Sequence, residues 1–322
     1  MTGDPVIEVE NLRKTFGGIV AVDGATFDIE AGSITGLIGP NGAGKTTTFN
    51  LISGFYEPDG GVVRYSGRDL QAIMRPHREE TLIWGGASGI TLGAFGGIVG
   101  LGPLGLGVGA LGTTAVGAIA GAGGYLANQR ATQRRPGHAN SRPHMLAREG
   151  LVRTFQITRE LGEMTALENL MLAPQGQAGE NLANAWLRRD RVATEEATVR
   201  ERAEEMLELL EIEHLRDEAA GNLSGGQRKL LELGRVLMLE PRVILLDEPV
   251  AGVNPALTEK LMDRIETLRD QGYTFCIVEH DMAVIMELSE TIIVMNEGKK
   301  LVEGPPDEIR TNEAVIEAYL GV

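Results

Sequence analysis

With 322 residues, 43% hydrophobic and 23% charged, the chain is long enough for a large buried core in one or two domains. Its formal net charge of −15 argues against the basic footprint of a nucleic-acid binder. The single cysteine, Cys276, rules out an intrachain disulfide framework. Its place in the apolar run Thr274-Phe275-Cys276-Ile277-Val278 predicts a buried, reduced thiol.

The N-terminus has no basic region followed by an apolar stretch, so no signal peptide is expected and the compartment expected is the cytosol. Val6-Ile7-Glu8-Val9 alternates like an edge strand, and residues 21–29 form a second alternating run. Between them, Phe16 has two readings: an aromatic face for an adenine, or a core side chain. Residues 33–38 are short and mostly apolar, as a buried strand requires. They lead into Gly39-Pro40-Asn41-Gly42-Ala43-Gly44-Lys45-Thr46, with Thr47 next.

This is the spacing G-x-x-x-x-G-K-[ST] of a phosphate-binding loop between a strand and a helix. Gly39, Gly42 and Gly44 let the backbone curl its N–H groups toward an anion. Lys45 brings positive charge to the β- and γ-phosphates, and Thr46 offers a hydroxyl to Mg²⁺. A helix from about Lys45 to Ser53, capped by Gly54, adds its positive dipole end. The chain is therefore expected to bind a nucleotide.

A turn at residues 57–61 and a strand at 62–68 follow, and then the composition changes. Residues 82–127 contain no Asp, Glu, Lys or Arg, and about a third of them are Gly. Gly85, Gly89, Gly93 and Gly97 recur every four residues, a spacing that would let helices approach closely. Two readings stand: a pair of apolar helices broken at Gly102-Pro103, in contact with a bilayer or with each other, or a low-complexity loop. Arg75-Pro76-His77 is repeated as Arg142-Pro143-His144, which marks residues 78–144 as an insertion.

Beyond it, Val199, Ala203, Met206, Leu207 and Leu210 share one helical face. Leu223-Ser224-Gly225-Gly226-Gln227 opens a helix that ends before Glu240-Pro241. Residues 242–246 are a buried strand ending in Asp247-Glu248, which places a carboxylate beside the phosphate loop, where parallel α/β sheets bind ligands. A helix over 256–270, a strand over 273–278, Glu279-His280-Asp281, a hairpin over 292–303 and a short helix complete the chain. The alternation predicts an α/β fold with a parallel sheet.

In this order the phosphate loop, Gln156, L-S-G-G-Q, V-I-L-L-D-E-P and Glu279-His280-Asp281 resemble the ATP-binding cassette family over all but about residues 78–144. Val152-Arg153-Thr154-Phe155-Gln156, Met164-Thr165-Ala166-Leu167-Glu168-Asn169-Leu170 and Ala251-Gly252-Val253-Asn254-Pro255 look like the ATPase subunits of branched-chain amino-acid importers, as does Ile316-Glu317-Ala318-Tyr319-Leu320-Gly321. The resemblance implies a P-loop NTPase with a RecA-like parallel sheet, an antiparallel β subdomain and a helical signature subdomain. Its parts would be a core at 1–77, the insertion at 78–144, a return through 145–156, helices over 157–235 and the rest of the core at 236–322.

It also implies an ATPase at the cytoplasmic face of the membrane. The chain would pair with a second copy or a paralogous ATPase, with permease subunits and, indirectly, with an extracytoplasmic solute-binding protein. Ser224, Gly225, Gly226 and Gln227 of one copy would face ATP on the phosphate loop of the other. Thr46, Asp247 and Gln156 would serve Mg²⁺. Glu248 would polarise the attacking water, and His280 would contact the γ-phosphate. The family commonly has Asp where Asn254 stands. An exporter ATPase or an ATPase acting on nucleic acid is the rival reading. The subgroup motifs oppose the first, and the acidic charge and lone cassette oppose the second.

Overall fold

The computed structural model describes residues 4–74, 143–154, 161–180 and 186–320. Met1–Ile73 and Pro143–Val322 form one compact unit, and Met74–Arg142 another. Apart from Met74, the second unit lies outside the described residues, and so do both readings of the apolar stretch at 82–127. Gln156 lies outside them too. The helix Pro143–Arg148 runs across the expected border at residue 144.

The described chain begins with strands β1 (Pro5–Phe16), β2 (Ile19–Glu30) and β3 (Ile34–Ile38), then helix α1 (Lys45–Ile52). Strands β4 (Gly60–Tyr65) and β5 (Arg68–Asp69) precede α2 (Leu70–Met74), and α3 (Pro143–Arg148) leads into β6 (Leu151–Arg153). Helices α4 (Ala166–Met171), α5 (Arg189–Leu209) and α6 (Gly225–Leu237) follow. Next come β7 (Val243–Asp247), α7 (Pro255–Asp270), β8 (Thr274–Val278), α8 (Met282–Leu288) and the hairpin of β9 (Thr291–Asn296) and β10 (Lys299–Gly304). The described chain closes with α9 (Pro306–Thr311) and α10 (Glu313–Leu320).

Two sheets organise these elements. The smaller is antiparallel, in the order β2-β1-β4-β5. Here the edge-strand expectation for residues 6–9 is corrected: β1 is hydrogen-bonded on both sides, to β2 and to β4. Alternation reports that one face is buried, as Ile7, Val9 and Leu12 are, but it carries no information on how many neighbours a strand has.

The larger sheet runs β10-β9-β3-β8-β7-β6, parallel except for the final β9–β10 hairpin. Every residue of β3, β7 and β8 is buried, which is why these strands read as continuous apolar runs. The order matters for the site. Strand β8 lies between β3 and β7, so the chain leaves all three carboxyl ends side by side.

Helices α4, α5 and α6 contribute Leu167, Leu170, Ala203, Leu207, Leu230 and Leu231 to the core cluster, joined by Leu210 just past α5. Val199 and Met206 pack against the same cluster, so all five residues of the expected helical face turn inward. Burying an aliphatic side chain of this size contributes roughly 1.5–3 kcal/mol.

Candidate active site

The phosphate loop leaves β3 with φ of 149° at Gly39, 82° at Gly42 and 93° at Gly44. Two of these glycines are also fixed by their neighbours. A Cβ on Gly39 would lie 2.1 Å from the Met295 carbonyl oxygen, and one on Gly44 would lie 2.4 Å from that of Ala21. The loop is thus wedged between the end of β9 and strand β2. The β9–β10 turn ties both sides together: Gly298 donates its N–H to the Ala43 carbonyl at 3.1 Å, and Asp23 donates to the Gly298 carbonyl at 2.7 Å.

Helix α1 then starts from Gly44 with no side-chain cap and no acid in its first turn. Nothing in that turn competes with an external anion for the positive helix end. The Lys45 ammonium is buried and donates to the carbonyls of Gly39 at 2.6 Å and Pro40 at 3.0 Å. Burial pushes its pKa below the ordinary lysine value, and the Glu248 carboxylate opposes that shift. Thr46 is exposed at the first turn of α1 and Thr47 is half-buried there.

Asp247 is the buried last residue of β7. Its Oδ2 accepts a 2.7 Å hydrogen bond from Arg153 Nη2, at the end of neighbouring β6. Glu248 follows with φ of 50°, a left-handed conformation that a non-glycine residue adopts at a cost and that clusters at functional sites. The Glu248 N–H donates to the Val278 carbonyl at 2.8 Å, which locks that turn onto the end of β8. From β8, His280 brings Nε2 within 3.0 Å of Glu248 Oε1, so two residues expected to act together are in contact.

Two side chains with no role expected from the sequence complete this arrangement. Glu279 is buried and accepts from the backbone N–H of Val250 at 2.9 Å and of His280 at 3.0 Å. It stitches the loop after β7 to the loop after β8. Burial raises its pKa, while the N–H groups of Val250, His280 and Asp281 pull it down. Arg153 is the second, and its contacts extend well beyond Asp247. An acid inside Glu279-His280-Asp281 carries no sequence signal for two backbone acceptances. Arg153 stood out only as part of a family-like run.

Phe16 stands at the β1–β2 turn with 41% of its surface exposed, which removes the core reading. Its ring meets Tyr56 edge-on at 5.3 Å, and the Lys14 ammonium lies 5.6 Å from its centroid.

Ser224 caps α6: its Oγ accepts from the Gln227 N–H at 3.3 Å, and Gln227 Oε1 accepts from the Ser224 N–H at 2.8 Å. Gly225 is exposed, whereas Gly226 is buried under Val253 and Leu257. Among the described residues, no hydrogen bond or ion pair joins residues 224–227 to residues 39–47. Asn254 caps α7 through Leu257 N–H at 3.0 Å, a task that Asn and Asp perform alike.

The arrangement suits a triphosphate: an anion-ready loop and helix end, a buried ammonium, and a carboxylate held against an imidazole. Thr46 and Asp247 offer the hard oxygen donors that Mg²⁺ takes. Among the described residues, no group of three or more His, Cys, Asp or Glu side chains gathers into a cage.

The model of the ABC transporter family matches residues 22–85 and 101–251, and that of the branched-chain amino acid ATP-binding cassette transporter matches residues 299–322. Among relatives, the chain is 34% identical over 320 residues to the "Probable branched-chain amino acid transport ATP-binding protein LivG" of Archaeoglobus fulgidus, covering 98% of this chain and 95% of that one. It is 33% identical over 318 residues to the high-affinity branched-chain amino acid transport ATP-binding protein BraF of Pseudomonas aeruginosa, covering 98% of both.

Among solved structures, a nucleotide-free ATP-binding cassette from an ABC transporter superposes with a TM-score of 0.67 at 30% identity, covering 99% of this chain and 100% of the other. An ATP-binding cassette in its ADP conformation gives 0.66 at 30% identity, covering 99% of each. Phosphate loop, strand-end carboxylates and signature helix thus occur together in a fold shared with known cassettes, and the chain belongs to the ABC transporter family as one of its ATPases.

Proposed function

We propose that this chain powers an importer of branched-chain amino acids, or of a related small polar solute, from the cytoplasmic face of the membrane. The observation that carries the catalytic part is the Glu248–His280 contact of 3.0 Å at the strand ends that flank the phosphate loop. The identity of the solute rests on the names of the relatives and on the match at residues 299–322.

In this reading the N–H groups of the phosphate loop cradle the phosphates, and Lys45 neutralises the β- and γ-oxygens. Phe16 offers its exposed face to the adenine. Water attacks the γ-phosphorus as the bond to the β–γ bridging oxygen breaks, which yields ADP and inorganic phosphate. Glu248 accepts hydrogen bonds from that water and takes up its proton, while His280 holds the Glu248 carboxylate and reaches the γ-phosphate. Thr46 and Asp247, with Gln156 nearby, would hold Mg²⁺, which would supply neutralisation of phosphate charge.

Residues 224–227 complete the site from a second copy, or from a paralogous ATPase, arranged head-to-tail. ATP closes the pair and hydrolysis reopens it. The permease is proposed to seat a cytoplasmic segment in a cavity of about 450 Å³ lined by Phe55, Leu151, Arg153, Leu172, Val236 and Leu239, mainly apolar and beside β6, the last strand of the sheet among the described residues. A solute-binding protein outside the membrane acts through the permease. Among the described residues, no helix is long and apolar enough to cross a membrane.

Glu248→Gln tests the reading. It is expected to bind ATP like the parent, to lose turnover by about 100-fold or more, and to accumulate as an ATP-bound dimer in size-exclusion chromatography. Turnover near the parental rate would remove Glu248 as the base. ATP-dependent leucine uptake by the reconstituted transporter tests the solute.

A further inference from the structure

Arg153 touches both the cavity and the carboxylate proposed to serve the metal. Its guanidinium is held through both Nη atoms, while the buried Nε has no hydrogen-bond partner among the described residues. Nη2 donates to Asp247 Oδ2 at 2.7 Å, and Nη1 donates to Asn50 Oδ1 and, at 3.1 Å, to Ser53 Oγ. The group lies 4.7 Å from the centroid of Phe49 and 5.1 Å from that of Phe55. Three of these five anchors, Phe49, Asn50 and Ser53, belong to α1 and its C-terminal cap, the same helix whose first turn presents Lys45 and Thr46. Arg153, Ser53 and Phe55 also line the 450 Å³ cavity.

From this we infer that Arg153 is the positioning residue through which occupancy of the cavity reaches Asp247. The inference rests on the preceding reading for the identity of the occupant and for the role of Asp247. The physical basis is the geometry of the fork. A planar guanidinium with one edge on a carboxylate and the other on a helix end cannot turn without moving one of them. Arg153 Cζ lies over the Phe55 ring, which forms part of the cavity wall, so a segment that displaces this ring acts on the guanidinium directly. Because Nη2 occupies Oδ2 of Asp247, the direction of Oδ1 is set by where Arg153 stands. A lysine would keep the charge but lose the fork.

The test uses the full chain, alone and co-purified with its permease, with Arg153→Met and Arg153→Lys. The first measurement is binding of a fluorescent ATP analogue against Mg²⁺ concentration, with no turnover involved. Arg153→Met is expected to move the half-saturating Mg²⁺ concentration by about threefold or more, because a charge beside the metal carboxylate is gone. Arg153→Lys is expected to stay near the parent.

The second measurement is the stimulation of hydrolysis by the reconstituted permease. Both variants are expected to lose most of it while remaining bound to the permease. Analogue binding without Mg²⁺ and the melting temperature verify folding.

An unchanged Mg²⁺ dependence in Arg153→Met, or parental stimulation in both variants, would overturn the inference. So would failure of either variant to co-purify, since Arg153 would then be a docking contact alone. If the parental chain itself is not stimulated, the transport reading fails, and the relay from the cavity fails with it. The Mg²⁺ titration would still decide whether Arg153 sets Asp247.

Discussion

The two halves of the proposed ATP site are built in opposite ways. The strand-end half is assembled from distant segments: residues 39–47, 247–248 and 279–280 meet only because β3, β8 and β7 are neighbours in the sheet. Contacts from other segments fix each part, Met295 and Ala21 against the loop, Arg153 on Asp247, Glu279 across the two loops. The signature half is local. Ser224 and Gln227 close a capping box on their own helix, and Gly226 packs closely under the neighbouring segment of Val253 and Leu257. A half held by cross-contacts has its parts tied to a second segment, hydrogen-bonded or packed in place, as chemistry requires. A self-capped helix end is a rigid surface that can meet a second copy.

Substitutions in the two halves should therefore fail differently. The largest effect is expected for Lys45→Ala. Loss of a buried ammonium from the phosphates should weaken ATP binding by about 100-fold in a titration of the isolated chain, because charge-assisted hydrogen bonds are the strong ones. Unchanged affinity would mean that Lys45 stays on the Gly39 and Pro40 carbonyls when nucleotide is bound.

Next comes Glu279→Ala, which leaves the buried Val250 N–H without its acceptor, at about 1–3 kcal/mol, and frees the part-buried His280 N–H as well. Hydrolysis is expected to fall about tenfold or more with ATP affinity kept, because the loops carrying Glu248 and His280 lose their tie. Equal loss of affinity and turnover would point to a general structural role.

The same residue makes a pH prediction. Burial raises its folded-state pKa above 4.5, so the stability it contributes is full below about that value and is lost as pH rises through the raised one. Melting temperatures measured between pH 4.5 and 8 should therefore fall less for Glu279→Gln than for the parent.

Gly226→Ala addresses the signature half. The added Cβ would lie 2.6 Å from Leu257 Cδ1 and 3.0 Å from Val253 Cγ1, so the helix end must shift or Leu257 must turn, at about 1–3 kcal/mol. ATP binding by the isolated chain should be unchanged while ATP-dependent dimerisation and turnover fall. Weaker ATP binding by the monomer would contradict the division into halves. The smallest effect is expected for Ser224→Ala, about 1 kcal/mol from loss of the cap, read as a lower melting temperature.

The elements with strong local signals were legible from the residues alone. The phosphate loop carries its own spacing, the apolar strands their runs, and the helix over residues 189–209 its buried face at Ala203 and Leu207. Phe16 was undecided, since an aromatic beside a turn fits a core or a surface equally well until its neighbours are known. The place of β1 in the middle of its sheet was illegible, because strand pairing leaves no mark on side-chain alternation. Arg153 and Glu279 were missed for a related reason: each has a partner about 30 to 100 residues away, Val250 for Glu279 and Asp247 and Ser53 for Arg153, and nothing in the residue types records that distance.

Sequence by itself determined the chemistry available here: an anion-binding turn, hard oxygen donors, paired acid and imidazole, and a capped signature helix. These follow from local spacing, because backbone curvature, capping and period are set within a few residues. Tertiary structure decided which of them meet. The strand order set Glu248 against His280, the β9 and β2 carbonyls made Gly39 and Gly44 irreplaceable, and the packing of β6 on β7 gave Asp247 its arginine. Those contacts join segments far apart in the chain, and only the folded sheet brings them within hydrogen-bonding distance.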